Sequence, residues 1–475
     1  MRRRFEVNHG LSITPIESVK LPLKSRDELP AILSGLQWIF SNTELNEDIF
    51  KIIEKKVIAC NNTIGRPGMD LWHIFVLATV RLGLDIDFDK LEDLANHHKL
   101  LRLILGVESI WSEKVFNYRT INDNVSLLDE DTLKAINLIV ANHGRLLLNH
   151  GKPEMMNLKA DSYVLECNVH FPTDLNLTWD SLKKCISLII KDKDLYMMGG
   201  WRKHSLWNYE LKKTYLKCIK TVFGGGKNKK LRVKKRTTDF LAVCRKISGK
   251  ILTTRTQAAL HGINIPELDY FHGMIDKHID LVCRRLLKGE DIPHIEKVFS
   301  VFESHTEWIS KGKRNPSVEL GHRVMITTDK NDLILDYKVM LREEDVEQPV
   351  ELINRIMKNF ENNSVQSISF DRGFSSYANK MYLYPLVNKL NMPKKGKKNK
   401  EETKEESTKE FVLLRKKHAA VESNINCLEH HGLNRCPDKG IDGFTRYVGV
   451  GILAYNLHKI GNFIIKNKLK KYIAA

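Results

Sequence analysis

The chain has 475 residues, 42% of them hydrophobic, enough for about three domains and at least one sizeable core, which excludes a globally disordered protein. Lysine and arginine total 76 against 58 acidic residues, a formal charge of +18, and such an excess suits a polyanionic partner because each neutralised phosphate releases counterions. The eight cysteines (Cys60, Cys167, Cys185, Cys218, Cys244, Cys283, Cys427 and Cys436) lack zinc-ribbon spacing and are too scattered for a small disulfide scaffold, so they read as reduced thiols.

The first 150 residues read as helical and are expected to form an N-terminal domain. Charged residues Arg2 to Arg4 are followed by no apolar stretch, so no signal peptide is expected. Gly65-Arg66-Pro67-Gly68 breaks the chain, and Asp70 is placed to cap a helix whose apolar stripe is Leu71, Trp72, Phe75, Ala78, Thr79 and Leu82. A further helix is expected over Phe88 to His97, continued by Leu100 to Leu105, and another from Thr120 towards Leu148 with a break near Leu128-Asp129. Short helices carrying Arg66, Lys90, Lys99, Arg102 and Arg119 suit a helix-turn-helix-like DNA binder, though a helical bundle with a solvated basic face has the same pattern.

From Met155 the period changes. Met156, Leu158 and Ala160 alternate with Asn157, Lys159 and Asp161, as a strand with two unlike faces does. Residues 151–175 are expected to open a catalytic domain, and 176–300 to be a helical insertion within it. That insertion carries Gly200-Trp201-Arg202-Lys203-His204 and the loop from Gly224 to Lys230, where Lys227 follows three glycines. No Walker pattern occurs there, so the loop is either a flexible basic turn or a phosphate contact. Strands return at Val324 to Thr327 and Leu333 to Met340, joined by the turn Asp329 to Asp332. Asp345 is expected to cap the next helix, with Gln348 completing a capping box. Ser367 to Phe370 reads as a strand ending at Asp371, a helix starts at Ser375 or Ser376, and Asn391 to Pro393 is a last short strand. Lys394 to Glu410 is almost purely Lys, Glu, Thr and Ser, too polar to pack, and is expected to be a mobile loop. Beyond it Leu414, Val421, Ile425 and Leu428 mark an amphipathic helix. The most apolar segment, Tyr447 to Ile465, is interrupted by Asn456, His458, Lys459 and Asn462, whereas a membrane span needs about 20 nearly uncharged residues. A soluble, cytoplasmic chain is the expectation.

With the insertion set aside, residues 301–475 complete the order strand, hairpin, helix, strand, helix, short strand, helix. The predicted class is α/β and multidomain: a mixed sheet with flanking helices in the chain order of a ribonuclease-H-like fold. Asp161 in the first strand, Asp371 at the end of a later one and Glu422 beside Val421 on the late helix would make a hard oxygen site of the kind Mg²⁺ or Mn²⁺ prefers. Two such ions about 4 Å apart serve phosphodiester cleavage. On spacing alone, caps of local turns and a surface helix residue remain the plainer account, since a chain with 58 acids offers many chance triplets.

Local patterns favour the chemical account. Lys159 to Asp174 (KADSYVLECNVHFPTD) resembles the first-aspartate motif of insertion-sequence DDE transposases, and Ser369 to Phe374 (SFDRGF) their second. Arg415 to Asn426 (RKKHAAVESNIN), with Gly432 to Cys436 (GLNRC) after it, resembles their glutamate helix. Gly65-Arg66-Pro67, Glu319 to Arg323 (ELGHR) and the tail Gly451 to Gly461 (GILAYNLHKIG) are also similar, so the likeness, nearest to the group called ISNCY, runs over nearly the whole chain. It implies a catalytic triad of Asp161, Asp371 and Glu422 holding two Mg²⁺ or Mn²⁺ ions, with element ends and target DNA as double-stranded substrates. A dimer on DNA and a place at the nucleoid are also implied. Many relatives have Arg four residues before the glutamate and Lys seven after it, where this chain has His418 and Glu429. His418 is therefore an active-site candidate, while Arg435 or Lys439 can replace the missing lysine. Arg66, Arg415, Lys417, Lys203 and Lys227 are the candidate DNA contacts. Glu429-His430-His431 with Cys436 lacks a second ligand pair for zinc. His97-His98 reads as a helix end, Asp345 as a helix cap and Asp174 as a turn residue, and either of these two acids could also support the site from behind its metal ligands. A nuclease or resolvase without strand transfer, and a silent DNA-binding derivative, are the competing functions.

Overall fold

Helical and strand periodicities alternate along the chain, and the computed structural model resolves them into a mixed α/β architecture of two units, residues 1–168 with 309–475 and residues 169–308. It describes residues 3–5, 14–59, 68–107, 114–192, 199–310, 317–360 and 365–474. The helices expected as a separate N-terminal domain belong to the first unit, and the helical second unit is somewhat wider than the 176–300 segment read from the sequence.

The first unit begins with α1 (Leu29–Ser41), α2 (Thr43–Ala59), α3 (Leu71–Gly83), α4 (Phe88–His97), α5 (Lys99–Ile104), α6 (Tyr118–Val125) and α7 (Glu130–Leu148). The apolar stripe on α3 understates its burial. Every residue of this helix is buried, because α1, α2, α4, α6 and the C-terminal helix surround it. Asp70 stands at its N-cap but makes no side-chain cap; its carboxylate pairs instead with His73 and Lys114, both at 3.2 Å. Asp129 does cap α7 through the Thr132 amide, which fixes the break expected near residue 128.

Strand β1 (Met156–Cys167) then leads into the second unit, an all-helical body of α8 (Asp174–Asp192), α9 (His204–Phe223), α10 (Lys229–Leu260) and α11 (Pro266–Val282). Its core joins Leu182, Ile186, Phe240, Cys244 and Ile275. Asp174 opens α8 and pairs with Arg285 at 3.0 Å.

The chain returns through β2 (Glu307–Ser310), β3 (Val318–Thr328), β4 (Ile334–Met340), α12 (Gln348–Asn359), β5 (Val365–Phe370), α13 (Tyr377–Leu383), β6 (Lys389–Asn391), α14 (Lys400–Glu406), α15 (Lys409–Leu428), β7 (Arg435–Cys436) and α16 (Gly440–Ala474). The seven-stranded sheet has the order β2-β3-β1-β5-β6, with β4 also beside β3 and β7 also beside β1. β1 is antiparallel to β3, and β3 to β4, whereas β5 and β7 run parallel to β1, and β6 parallel to β5. A parallel neighbour requires a crossover, which α13 supplies between β5 and β6.

α16 packs on α1, α3 and α7. Its crossing with α1 is close enough to need glycine on both helices. A Cβ on Gly461 would stand 1.8 Å from the Ala31 carbonyl oxygen, and one on Gly35 would stand 2.4 Å from that of Leu457. By length and composition α16 is the one helix among the described residues able to cross a membrane, and most of its apolar stretch is buried inside the unit.

Two local expectations are corrected. The cap before α12 is Glu344, in a capping box with Glu347, while the Gln348 amide donates to Glu343 at 2.8 Å; Asp345 is left free for another role. Residues 394–410 are not a featureless polar loop: they contain α14, with a capping box between Asn399 and Glu402. The buried Glu406 accepts from the Lys394 amide at 2.9 Å and the Lys398 ammonium at 2.5 Å, and Lys394 pairs with Glu402. Composition reports that such a segment is polar, but not that its charges find one another.

Candidate metal centre

Ala160 of β1 is in register with Phe370, the last residue of β5. Asp161 and Asp371 therefore follow at the same level on neighbouring parallel strands, which lie about 4.8 Å apart. β5 stops there, but β1 runs on until Glu166 and Cys167 meet Arg435 and Cys436 of β7. Between those two partners, residues 161–165 are paired to β3 alone. The resulting notch in the sheet begins at Asp161, at the carboxyl end of β5, the edge where open α/β sheets bind ligands.

Glu422 comes from α15, which packs over β1, β5 and β6. The buried positions of this helix, Phe411, His418, Val421 and Leu428, recur at helical spacing, so Glu422 lies at the border of the packed face and is exposed. A fourth carboxylate, Asp345, approaches from the turn before α12. The Ser162 hydroxyl donates to Asp345 Oδ1 at 2.6 Å, and the Ser162 amide donates to Asp161 Oδ1 at 2.8 Å. Asp345 also lies against the turn after Asp371: a Cβ on Gly373 would stand 3.2 Å from Asp345 Oδ2. One carboxylate thus touches both the residue after Asp161 and the turn after Asp371. The local pattern at Asp345 allows a cap or a supporting place beside the site, and its partner Ser162 lies 183 residues away along the chain.

The electrostatics follow from this crowding. Burial pushes the Asp161 carboxyl up to about 7, and the charges of Asp371, Asp345 and Glu422 add to the rise, while the Ser162 amide opposes it. Among the described residues, none of these four acids forms an ion pair with a lysine or arginine. Concentrated, uncompensated carboxylates of this kind suit a hard divalent cation with oxygen ligands. The donor set therefore fits Mg²⁺ or Mn²⁺.

His418 is buried, and its Nδ1 lies 3.1 Å from the Ser369 hydroxyl. Its Nε2 is also buried and has no hydrogen-bond partner among the described residues. Burial lowers its pKa, with Lys159 acting the same way and Asp371 and Glu422 opposing. Near it, Lys159 pairs with Asp332 at 3.0 Å, the Asn424 amide donates to the same carboxylate at 3.2 Å, and the Tyr455 hydroxyl donates to Asn424 at 3.0 Å. This polar chain fixes α15, and with it Glu422, to β1 and the β3–β4 turn. Lys159, Asp332 and Asn424 were not singled out from sequence. Two of them lie in motifs that were, but their pairing becomes visible only in three dimensions.

The remaining candidates are dispersed. Arg415 and Lys417 are exposed on α15, and Lys203 and Lys227 are exposed in the second unit. Arg66 lies outside the described residues. Of the basic residues on the N-terminal helices, Arg102 donates to backbone carbonyls and Lys90 pairs with Asp93, while Lys99 and Arg119 are exposed. Arg435 pairs with Glu166 at 2.9 Å; Lys439 is exposed. His431 pairs with Glu28 at 3.2 Å, and the Cys436 thiol donates to the Asp438 carbonyl. His98 caps α5. Comparisons with protein families, with characterised proteins and with solved structures return no match.

Proposed function

We propose that the protein is a DDE-type DNA transposase with a ribonuclease-H-like catalytic unit. The main support for this reading is the placing of Asp161 and Asp371 at one level of neighbouring parallel strands, with Asp345 and Glu422 near enough to raise the Asp161 pKa and no cationic partner for any of the four among the described residues. Support also comes from the sheet order, an antiparallel β4-β3-β1 extended by parallel β5 and β6, and from the resemblance of the motifs around each acid. The charge of +18 adds the attraction that a DNA substrate requires.

In this reading Asp161, Asp371 and Glu422 hold the metal, and Asp345 acts through Ser162 to fix the orientation of Asp161. Two divalent ions would lower the pKa of the attacking hydroxyl and stabilise the leaving oxygen. His418, buried against Ser369, positions α15 beside Asp371 and Glu422. Lys159, Asp332 and Asn424 keep Glu422 over the strand ends. Arg415 and Lys417, exposed on the same helix, are available to DNA phosphates.

The test uses a supercoiled plasmid carrying the gene with its flanking DNA. Wild-type protein with Mg²⁺ or Mn²⁺ is expected to nick it and to form joined products. Asp371→Asn is expected to abolish both reactions while leaving DNA binding within about twofold, a difference below about 0.5 kcal/mol. Metal-dependent cleavage retained by that variant would sink the site; cleavage by wild type without any joined product would reduce the enzyme to a nuclease.

A further inference from the structure

In the second unit, α9 and α10 form a hairpin about the turn Gly224 to Asn228. From Arg202 to Arg236 this segment contains 13 lysines and arginines and a single acid, Glu210. Burial on α10 starts only at Thr237, so Lys229 to Arg236, two turns of helix, project without a buried side chain, Val233 and Arg236 being half-buried. Leu231 is 73% exposed there, and Phe223 at the end of α9 is 70% exposed.

At about 100° per residue, the cations at 229, 230, 232, 234, 235 and 236 surround the helix axis, with no sector wider than about 100° left without one. Lys230 with Lys234, and Arg232 with Arg236, are like-charged neighbours at i,i+4, each unfavourable by about 0.2–0.5 kcal/mol. Little within the unit compensates them: Arg236 meets Asp239 at 3.3 Å, and Arg232 donates to the Gly225 carbonyl. A tip with these properties is stabilised by a polyanion. A second copy of the same tip is excluded by repulsion. A helix lying on a bilayer separates its cationic and apolar faces, whereas here Leu231 stands among the cations. A helix about 10–12 Å across with charge on all sides fits a duplex major groove about 12 Å wide, between two walls of phosphate.

We infer that the α9–α10 hairpin is a duplex-DNA clamp that inserts the Lys229–Arg236 tip between phosphate strands. This rests on the transposase reading for the biological source of the DNA, but not on the metal chemistry.

The experiment measures anisotropy of a labelled random-sequence duplex of about 30 base pairs with the full-length protein in EDTA, across a salt series. Replacing Lys229, Lys230, Lys234 and Lys235 with Gln together is expected to weaken binding at least tenfold and to reduce the slope of log K against log salt by about 3 to 4, since each phosphate contact contributes about 0.9. Replacing the same four with Arg is expected to preserve the slope. In the wild type, these lysines are expected to lose reactivity towards an acetylating reagent when duplex is added, a readout that does not depend on variant folding. A slope changed by less than about 1, unprotected lysines, or binding to phosphatidylserine vesicles in place of duplex would each overturn the inference. Asp371→Asn is expected to show the wild-type slope. An unchanged slope in the Gln variant beside intact cleavage therefore refutes the clamp alone, and a reduced slope without wild-type cleavage refutes the chemistry alone.

Discussion

Burying a carboxylate beside three others raises the free energy of its charged form, and Asp161, held up at about 7, bears that penalty. In the unfolded chain an aspartate titrates near 3.9. Between those values the folded state keeps a proton that the unfolded state has lost, so stability falls as pH rises through this window. The penalty is absent below about 4 and complete above about 7. Asp161→Asn removes it, so in EDTA at pH 8 the variant is expected to melt several degrees above wild type. The gain should disappear at pH 4. With Mg²⁺ added at pH 8 the order should reverse, because only the wild type gains stability from a ligand bound to the folded state. An Asn variant no more stable than wild type in EDTA would mean that Asp161 bears no such penalty from burial and neighbouring charge. The same crowding explains why the site was partly legible. Asp161 and Asp371 stand in recognisable local motifs, whereas Asp345 and Asp332 act on residues far along the chain, and nothing in their own neighbourhoods announces it.

Elements were most legible where one period dominates a stretch of chain. The alternation at 156–161, 324–327 and 367–370 located β1, β3 and β5, and the apolar spacing after residue 414 located α15, because burying one face imposes its period on the sequence. Where pairing rather than burial decides, pattern is silent. The tract that forms α14 reads only as polar, and Asn456 reads only as an interruption of an apolar run. In the fold Asn456 is fully buried. Its Oδ1 accepts from the Ile334 amide at 2.9 Å, and its Nδ2 donates to the Ile334 carbonyl and to Asn137 Oδ1, both at 2.8 Å. It thereby satisfies the first residue of β4 and ties α16 and α7 to that strand. Leaving a buried donor or acceptor unmatched costs about 1–3 kcal/mol. Asn456→Leu, which keeps the volume and loses the bonds, is therefore expected to lower unfolding free energy by about 2 kcal/mol or more. A loss below about 0.5 kcal/mol in denaturant titration would show that hydrogen bonding there is dispensable.

At the scale of the whole molecule, the sequence is interrupted but the first unit is not. β1 enters it before the insertion and β3 pairs with β1 after it, in unbroken register from Lys159 with Thr328 to Glu166 with Gly321. Gly321 shows how close that return is: a Cβ there would stand 2.0 Å from the Leu165 carbonyl oxygen. The second unit has its own core of Leu182, Ile186, Phe240 and Ile275, and all four acids of the candidate centre belong to the first unit. Bodies with separate cores need not unfold in one step. Calorimetry of the full chain is thus expected to show two transitions. Mg²⁺ should raise one of them, by an amount that grows with ion concentration as RT ln(1 + [L]/Kd). That transition should also be the one shifted by Asp161→Asn and by Asn456→Leu, while Lys-to-Gln changes at the α10 tip should leave both in place. A single transition moved by Mg²⁺, by Asp161→Asn and by Asn456→Leu alike would show that the insertion and the sheet unfold as one cooperative body. Two transitions both raised by Mg²⁺ would place metal ligands in the second unit as well.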